Sequence, residues 1–259
     1  MSLLDLASTV AKEAGDLIRK GRGDLQVSHK GPVDLVTQLD LASEDLIRER
    51  FTKAEPGIPI LAEEKGGEME AKTRWIIDPL DGTTNFVHGF PFYCVSIALE
   101  QEGVLTHGVI YDIPNDRLYS AQRNQGAHCD GRPLQVSTCN SLDKALIASG
   151  FAADRRQRAD FYLAFVKHFL KNAQGFRRCG SAAMDLAMLA DGKLDAYWEF
   201  GLNPWDVAAG ALIVEEAGGR VGEIGGGPLN LNHPQILASN RPLFLPLLQH
   251  LAPLLAETC

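Results

Sequence analysis

The chain has 259 residues, 45% of them hydrophobic and 22% charged, which is the composition of a globular protein with room for one large domain or two closely packed halves. A formal net charge of -8 and the absence of a long Lys/Arg run argue against a nucleic-acid partner, and no apolar run is long enough to span a membrane. The five cysteines form no CxxC pair, so a zinc or thiol-redox motif is not expected; free thiols in a reducing compartment fit them better. Asp5 interrupts the first apolar run too early for a signal peptide, so a soluble, cytoplasmic protein is expected.

Leu3, Leu6, Ala7, Val10, Ala14, Leu17 and Ile18 recur at helical spacing and predict an amphipathic helix over residues 2–20, ended by Gly21 and Gly23. Lys30-Gly31-Pro32 reads as a mobile loop. A second helix is expected from about Asp40, with Leu46, Ile47 and Phe51 on one face. Thr37 or Asp40 has the chemistry of its N-cap; alternatively Asp40 is a concealed partner of an active site. Ile60-Leu61-Ala62 is a short apolar strand running into Glu63-Glu64, and the polar segment 65–73 reads as a loop.

Residues 75–77, Trp-Ile-Ile, form a second short apolar strand, expected to break at Asp78-Pro79. Asp81, Gly82, Thr83, Thr84 and Asn85 follow at once. Two carboxylates three residues apart in a turn reach one small volume, and an all-oxygen set suits Mg²⁺. Gly82 lets a phosphate approach the backbone, and the N–H groups of a following helix start are suited to hold it.

The segment 92–121 reads as an antiparallel meander, extended by Leu134 and Val136. Residues 137–144 are polar, and the boundary between an N-terminal half (1–137) and a C-terminal half (138–259) is placed there. The second half should supply a strand at 145–149, a helix around Phe161–Leu170, and a small-residue helix over 180–191. A strand at 194–198, a helix from Trp205-Asp206 to Ala217, a strand at 236–239 and a terminal helix complete it. Asp206 is either an acid that complements a helix dipole or a ligand returned from far along the chain.

GxGxxG, GxxxxGK[ST] and HExxH do not occur, which disfavours dinucleotide binding, P-loop hydrolysis and zincin chemistry. The stretch WIIDPLDGTTNFVHGFPF, residues 75–92, resembles the first signature of the inositol monophosphatase family, and WDVAAGALIVEEAGG, residues 205–219, resembles its second. The resemblance extends over essentially the whole chain. It implies an α/β (α+β) fold, a five-layered α-β-α-β-α sandwich, in a lithium-sensitive homodimer that needs two or three Mg²⁺ ions per subunit. By the same resemblance the metal ligands are Glu63, Asp78, the backbone carbonyl of Leu80, Asp81 and Asp206. Glu63, Thr83 and Asp40 act on the attacking water. Asp81, Gly82, Thr83, Ala182, Glu199 and Asp206 contact substrate, and Lys30 stands at the place of a mobile-loop lysine.

The function so implied is Mg²⁺-dependent hydrolysis of myo-inositol monophosphates by in-line attack of water. Glu199, at a strand end, suits the hydroxyls of a small phosphorylated polyol. Arg155, Arg156, Arg158, Arg177 and Arg178 keep a fructose-1,6-bisphosphatase in view, since a second phosphate needs cationic partners. A 3′(2′),5′-bisphosphate nucleotidase is the other relative of this chemistry, but no base-stacking surface is recognisable. A non-catalytic scaffold is the reading from a different class, and the full set of carboxylates speaks against it.

Overall fold

The computed structural model describes residues 1–31, 34–232 and 234–258. In chain order the elements are α1 (Leu3–Gly21), β1 (Val27–Gly31), β2 (Asp34–Thr37), α2 (Gln38–Ala54), β3 (Ile60–Ala62), β4 (Arg74–Asp81) and α3 (Thr83–His88). Then come β5 (Cys94–Gln101), β6 (Val104–Asp112), β7 (Arg117–Gln122), β8 (Ala127–Cys129), β9 (Arg132–Pro133) and β10 (Leu146–Ser149). The chain continues through α4 (Ala159–Asn172), β11 (Gly175–Arg177), α5 (Ala182–Ala190), β12 (Ala196–Glu199), α6 (Pro204–Glu216), β13 (Arg220–Glu223), β14 (Ile236–Ser239) and α7 (Arg241–Thr258).

The larger sheet has the order β3-β4-β5-β6-β7-β8-β9; the smaller has β11-β10-β12-β14-β13. Side chains alternate across each sheet, and that alternation creates the layers. Trp75, Ile77, Val95, Ile97, Leu99 and Val109 face α1 and α2, where Phe51 stacks on Trp75 with ring centroids 4.2 Å apart. Ile76, Ala98 and Ile110 face the other way, onto α5 and α6. Ala148, Tyr197 and Ala238 of the smaller sheet close on those same two helices, while Ile147, Trp198 and Leu237 turn outward to Phe165, Phe169 and Phe244 of α4 and α7. The result is the expected five-layered α-β-α-β-α sandwich. Helices α5 and α6 are apolar nearly all round because they are covered on both sides. Only a glycine at 108 permits the approach of β6 to α6, since a Cβ there would lie 2.9 Å from the Ala209 carbonyl oxygen.

Several elements differ from the sequence expectation. The strand at Trp75 does not stop before Pro79; it runs on to Asp81 through a register shift, with Asp78 opposite Ser96 and Asp81 opposite Cys94. Three steps on β4 thus match two on β5. In a regular strand residues three apart point to opposite faces; the bulge turns both carboxylates to the same side, and Pro79 is tolerated there because no ladder hydrogen bond is required of it. Residues 27–31 and 34–37 form an antiparallel pair where a loop is expected at Lys30-Gly31. The backbone of Lys30 belongs to β1, but its side chain, like Pro32 and Val33, lies outside the described residues. Helix α2 begins at Gln38, ahead of Asp40. The meander is extended by β8 and β9 instead of by Leu134 and Val136. The boundary placed at 137/138 falls in the connection from β9 to β10, where Asn240 Nδ2 donates to Ser137 Oγ at 2.9 Å and to the Cys139 carbonyl at 2.7 Å. Among the described residues no helix is long and apolar enough to cross a membrane.

Candidate active site

The bulge in β4 brings Asp78 and Asp81 to the floor of a cavity of about 260 Å³. Its walls include Glu63, Asp78, Leu80, Asp81, Gly82, Thr83, Ala182, Glu199 and Asp206. Each carboxylate is aimed by a specific partner. Asp78 Oδ1 accepts from the Leu80 N–H at 3.0 Å. Asp206, in the first turn of α6, accepts from the Asn203 N–H at 2.7 Å through Oδ2. Asp206 therefore closes the helix start and at the same time lines the cavity. Glu63 follows β3 in a turn fixed by Glu44, which is buried in α2 and accepts from the N–H groups of Glu64 at 2.8 Å and Lys65 at 3.1 Å.

The electrostatics of this wall are adverse to four free anions. Burial pushes the Asp78 carboxyl well above its usual range, and the charges of Glu63, Asp81 and Asp206 push it further. Asp206 is raised by burial, then by Asp81 and Glu63. Burial lifts Asp81 to about 6, with its bonds to Ser181, Ala183 and Gly82 and the nearby Arg178 acting the other way. An all-oxygen set with mutual repulsion, Asp78 buried and Glu63, Asp81 and Asp206 half-buried, fits a hard divalent cation, which would supply the missing positive charge. Among the described residues no three His, Cys, Asp or Glu side chains are closed into a ready-made cage.

Thr83, the first residue of α3, has its hydroxyl 2.9 Å from Asp40 Oδ1 and 3.0 Å from the Leu80 carbonyl oxygen. One proton serves two acceptors, so the Thr83 oxygen keeps lone pairs for a donor in the cavity. Asp40 lies behind Thr83, almost fully buried, and its other oxygen accepts from the Thr37 N–H at 2.9 Å and the Thr37 hydroxyl at 2.5 Å. It is both part of the capping box of α2 and the anchor of Thr83. Burial raises the Asp40 carboxyl, and the threonine bonds oppose that rise. Gly82 has φ 90°, and a Cβ there would lie 2.9 Å from the Phe92 carbonyl oxygen. A side chain would meet both backbone strain and a clash where the chain turns into α3.

The opposite wall comes from the smaller sheet and its helices. Glu199 ends β12, and its Oε2 accepts from the Tyr197 hydroxyl. Burial raises its carboxyl to about 7 against the pull of Tyr197, Arg178 and Arg155. A Cβ at Gly150 would lie 2.0 Å from Glu199 Oε2, so only glycine leaves room for this carboxylate. Ala182 begins α5 and leaves open space at the wall.

Sequence reasoning missed the residues that tie the two walls together. Ser181 Oγ and the Ala183 N–H both donate to Asp81 Oδ2, each at 2.7 Å. Asn85 Nδ2 donates to the Phe92 and Cys179 carbonyls, each at 2.8 Å. Ser181 stands at a helix start preceded by Gly180, a signal for an N-cap, but nothing local announces a partner in another sheet.

The family profile described as "Inositol monophosphatase family" matches residues 2–258. The chain is 42% identical over 245 residues to an inositol-1-monophosphatase of Mesorhizobium japonicum, covering 92% of each chain. It is 42% identical over 261 residues to a protein of Pseudomonas aeruginosa named Nus factor SuhB, covering 97% of this chain and 96% of that one. Among solved structures, the extragenic suppressor protein suhB from Bartonella henselae superimposes with a TM-score of 0.92 at 39% identity, covering 97% of this chain and 98% of that chain. An IMPase/NADP phosphatase complexed with Mg²⁺ and phosphate gives 0.84 at 26% identity over 95% of this chain and 93% of that one.

Proposed function

The chain belongs to the inositol monophosphatase family and is a phosphatase, and from that premise we propose that it hydrolyses myo-inositol monophosphates in a Mg²⁺-dependent reaction. The observation that carries the reading is the convergence of Glu63, Asp78, Asp81 and Asp206, from three distant segments, on one cavity beside the Thr83–Asp40 pair.

Glu63, Asp78, Asp81, Asp206 and the Leu80 carbonyl would hold the metal. A bound Mg²⁺ would supply acidity to a water molecule and positive charge to offset that of the reacting phosphate ester. Thr83 Oγ1 accepts a hydrogen bond from the attacking water, because its own proton is committed to Asp40 and Leu80. The amides of Gly82 and Thr83, where α3 begins, receive the phosphoryl oxygens. The water oxygen bonds to phosphorus as the ester P–O bond breaks in line, and the alcohol leaves with a proton. Glu199 accepts hydrogen bonds from ring hydroxyls, and Ala182 leaves the ring its space. A non-catalytic regulator on this fold would need none of these carboxylates, and all of them are present. By family membership we assign a homodimer, and the scattered thiols suit the cytoplasm.

Chelation of Mg²⁺ should abolish hydrolysis of inositol 1-phosphate, and re-addition should restore it; full activity in metal-free buffer would overturn the mechanism. Side-by-side kinetics should give a higher kcat/KM for inositol 1-phosphate than for glycerol 2-phosphate, fructose 1,6-bisphosphate and 3′-phosphoadenosine 5′-phosphate. A clear win for another ester would refute the inositol assignment while leaving the metal chemistry standing.

A further inference from the structure

At the end of α6 remote from the carboxylate cavity, two hollows of about 260 Å³ and about 400 Å³ adjoin each other. They share Arg123, Glu215 and Val221 as walls, so a chain passing over Val221 reaches from one into the other. Asp206 near the start of α6 and Glu215 near its end are separated by roughly 14 Å of helix rise. No described residue lines both these hollows and the carboxylate cavity.

The two hollows differ in chemistry. The first is walled by Val104 and Leu105 at the start of β6, Ala211 of α6, Val221 of β13, and Leu229 and Leu231 of the connection to β14. The second is walled by Arg123, Arg220 and Arg241, with Glu215 the one acidic group among its described lining residues.

Arg123 is already engaged. Its Nη1 lies 2.7 Å from Glu215 and 3.7 Å from Glu216, and its Nε donates to the Leu105 carbonyl at 3.0 Å. Arg220 and Arg241 are exposed, and neither has an ion-pair partner among the described residues. Arg220 rests over the Phe244 ring, 4.3 Å from Cζ to centroid, which engages the flat face of the guanidinium and leaves its edge donors available. Arg241 Nε donates to the Gly218 carbonyl at 3.1 Å, just past the end of α6; that accounts for one of its donors and leaves its terminal nitrogens.

The fork of a guanidinium matches a carboxylate, and the charge of Glu215 beside two uncommitted guanidiniums favours a monoanion over a dianion. Among the described residues no aromatic ring lines either hollow, so a nucleotide finds no stacking surface. Apolar walls with a few convergent polar groups are the composition of a small-ligand site. We propose that this groove binds an aliphatic carboxylate, with its chain over Val221 against Leu105, Leu229 and Leu231 and its carboxylate between Arg220 and Arg241.

Octanoate is the probe, titrated calorimetrically into the full chain at saturating Mg²⁺ beside octan-1-ol, acetate and octyl phosphate. Octanoate should bind at least about tenfold more tightly than octan-1-ol, which lacks the charge, and than acetate, which lacks the chain. Arg220→Gln and Arg241→Gln should each weaken octanoate by about tenfold and leave octan-1-ol unchanged, while Val104→Asn at the apolar end should weaken both. Circular dichroism melts of the variants should match the wild type, since all three positions are exposed. Three results would overturn the site: octanoate binding no tighter than octan-1-ol or acetate, a double arginine variant that binds octanoate like the wild type, or octyl phosphate binding more tightly than octanoate, which would assign the groove to a dianion.

Discussion

Ser181 Oγ donates to Asp81 Oδ2 at 2.7 Å, a bond between residues 100 positions apart that joins the helix layer to the bulged strand. The Ala183 N–H takes the same oxygen at the same distance. Asp81 is thus held from the far half of the chain, with one oxygen fixed. If Asp81 holds Mg²⁺ as proposed, partners of this kind behind it are worth about 10–100-fold in metal affinity. Ser181→Ala should raise the Mg²⁺ concentration for half-activation by about tenfold, and Ser181→Thr should restore it. Mg²⁺ titration calorimetry beside the activity assay checks this; an unaltered Mg²⁺ affinity in the alanine variant would refute the positioning role.

Thr83 and Asp40 act through one shared proton, so their losses should not add. Thr83→Ala and Asp40→Asn should each lower kcat by about 100-fold, and the double variant should be little worse than either single. Asp40→Asn should also cost about 1 kcal/mol of stability, because Asp40 closes the start of α2. Single-turnover rates and a urea melt on the three variants measure both effects. Multiplying losses in the double variant would mean that the two residues work independently.

The raised carboxyls of the cavity make metal-free stability depend on pH. Asp78 and Asp206 are raised, Asp81 to about 6 and Glu199 to about 7. Above the carboxylate range of the unfolded chain, near about 4, the folded state therefore binds more protons than the unfolded state. Stability must fall as pH rises from there through about 7. In chelator, Tm should decline between pH 5 and pH 8, and Mg²⁺ should raise Tm more at pH 8 than at pH 5. Asp206→Asn removes one of the opposed charges, so it should flatten the decline while severely lowering turnover. A metal-free Tm that climbs across this range would contradict the sign.

Gly150 and Glu199 are a steric pair as well as neighbours in the cavity. Gly150→Ala places a methyl where Glu199 Oε2 now lies, 2.0 Å away, so the carboxylate must move. KM for inositol 1-phosphate should rise about tenfold, as expected for a lost hydrogen bond to a charged group, with a smaller change for glycerol 2-phosphate. Glu199→Gln should shift the same preference in the same direction. Parallel Michaelis–Menten series on the two esters decide it, and a uniform loss on both would place Glu199 outside specificity.

Much of this architecture is written locally. The helix at 3–21 follows its apolar spacing, and the strand-end carboxylates Glu63, Asp78 and Asp81 stand where two apolar runs stop. Strands β11 and β13, of three and four residues, are too short to show a period, and they exist because a neighbouring strand offers a ladder. Proline usually marks a strand end, so the sequence does not disclose the bulge at Pro79; pairing with Cys94 keeps the strand going to Asp81. Ser181 gains its meaning only from Asp81, 100 positions away, so the composition around it carries no trace of that role.

The sharing of α5 and α6 between the two sheets has a consequence for the nascent chain. The larger sheet is complete once Pro133 has left the ribosome, yet the helices that cover Ile76, Ala98 and Ile110 end only at Glu216. At a synthesis rate of roughly 5–20 residues per second, that apolar sheet face waits on the order of several seconds for its cover. Asp206 arrives with the cover, so the last carboxylate reaches the cavity in the same event that hides the exposed sheet from other unfinished chains.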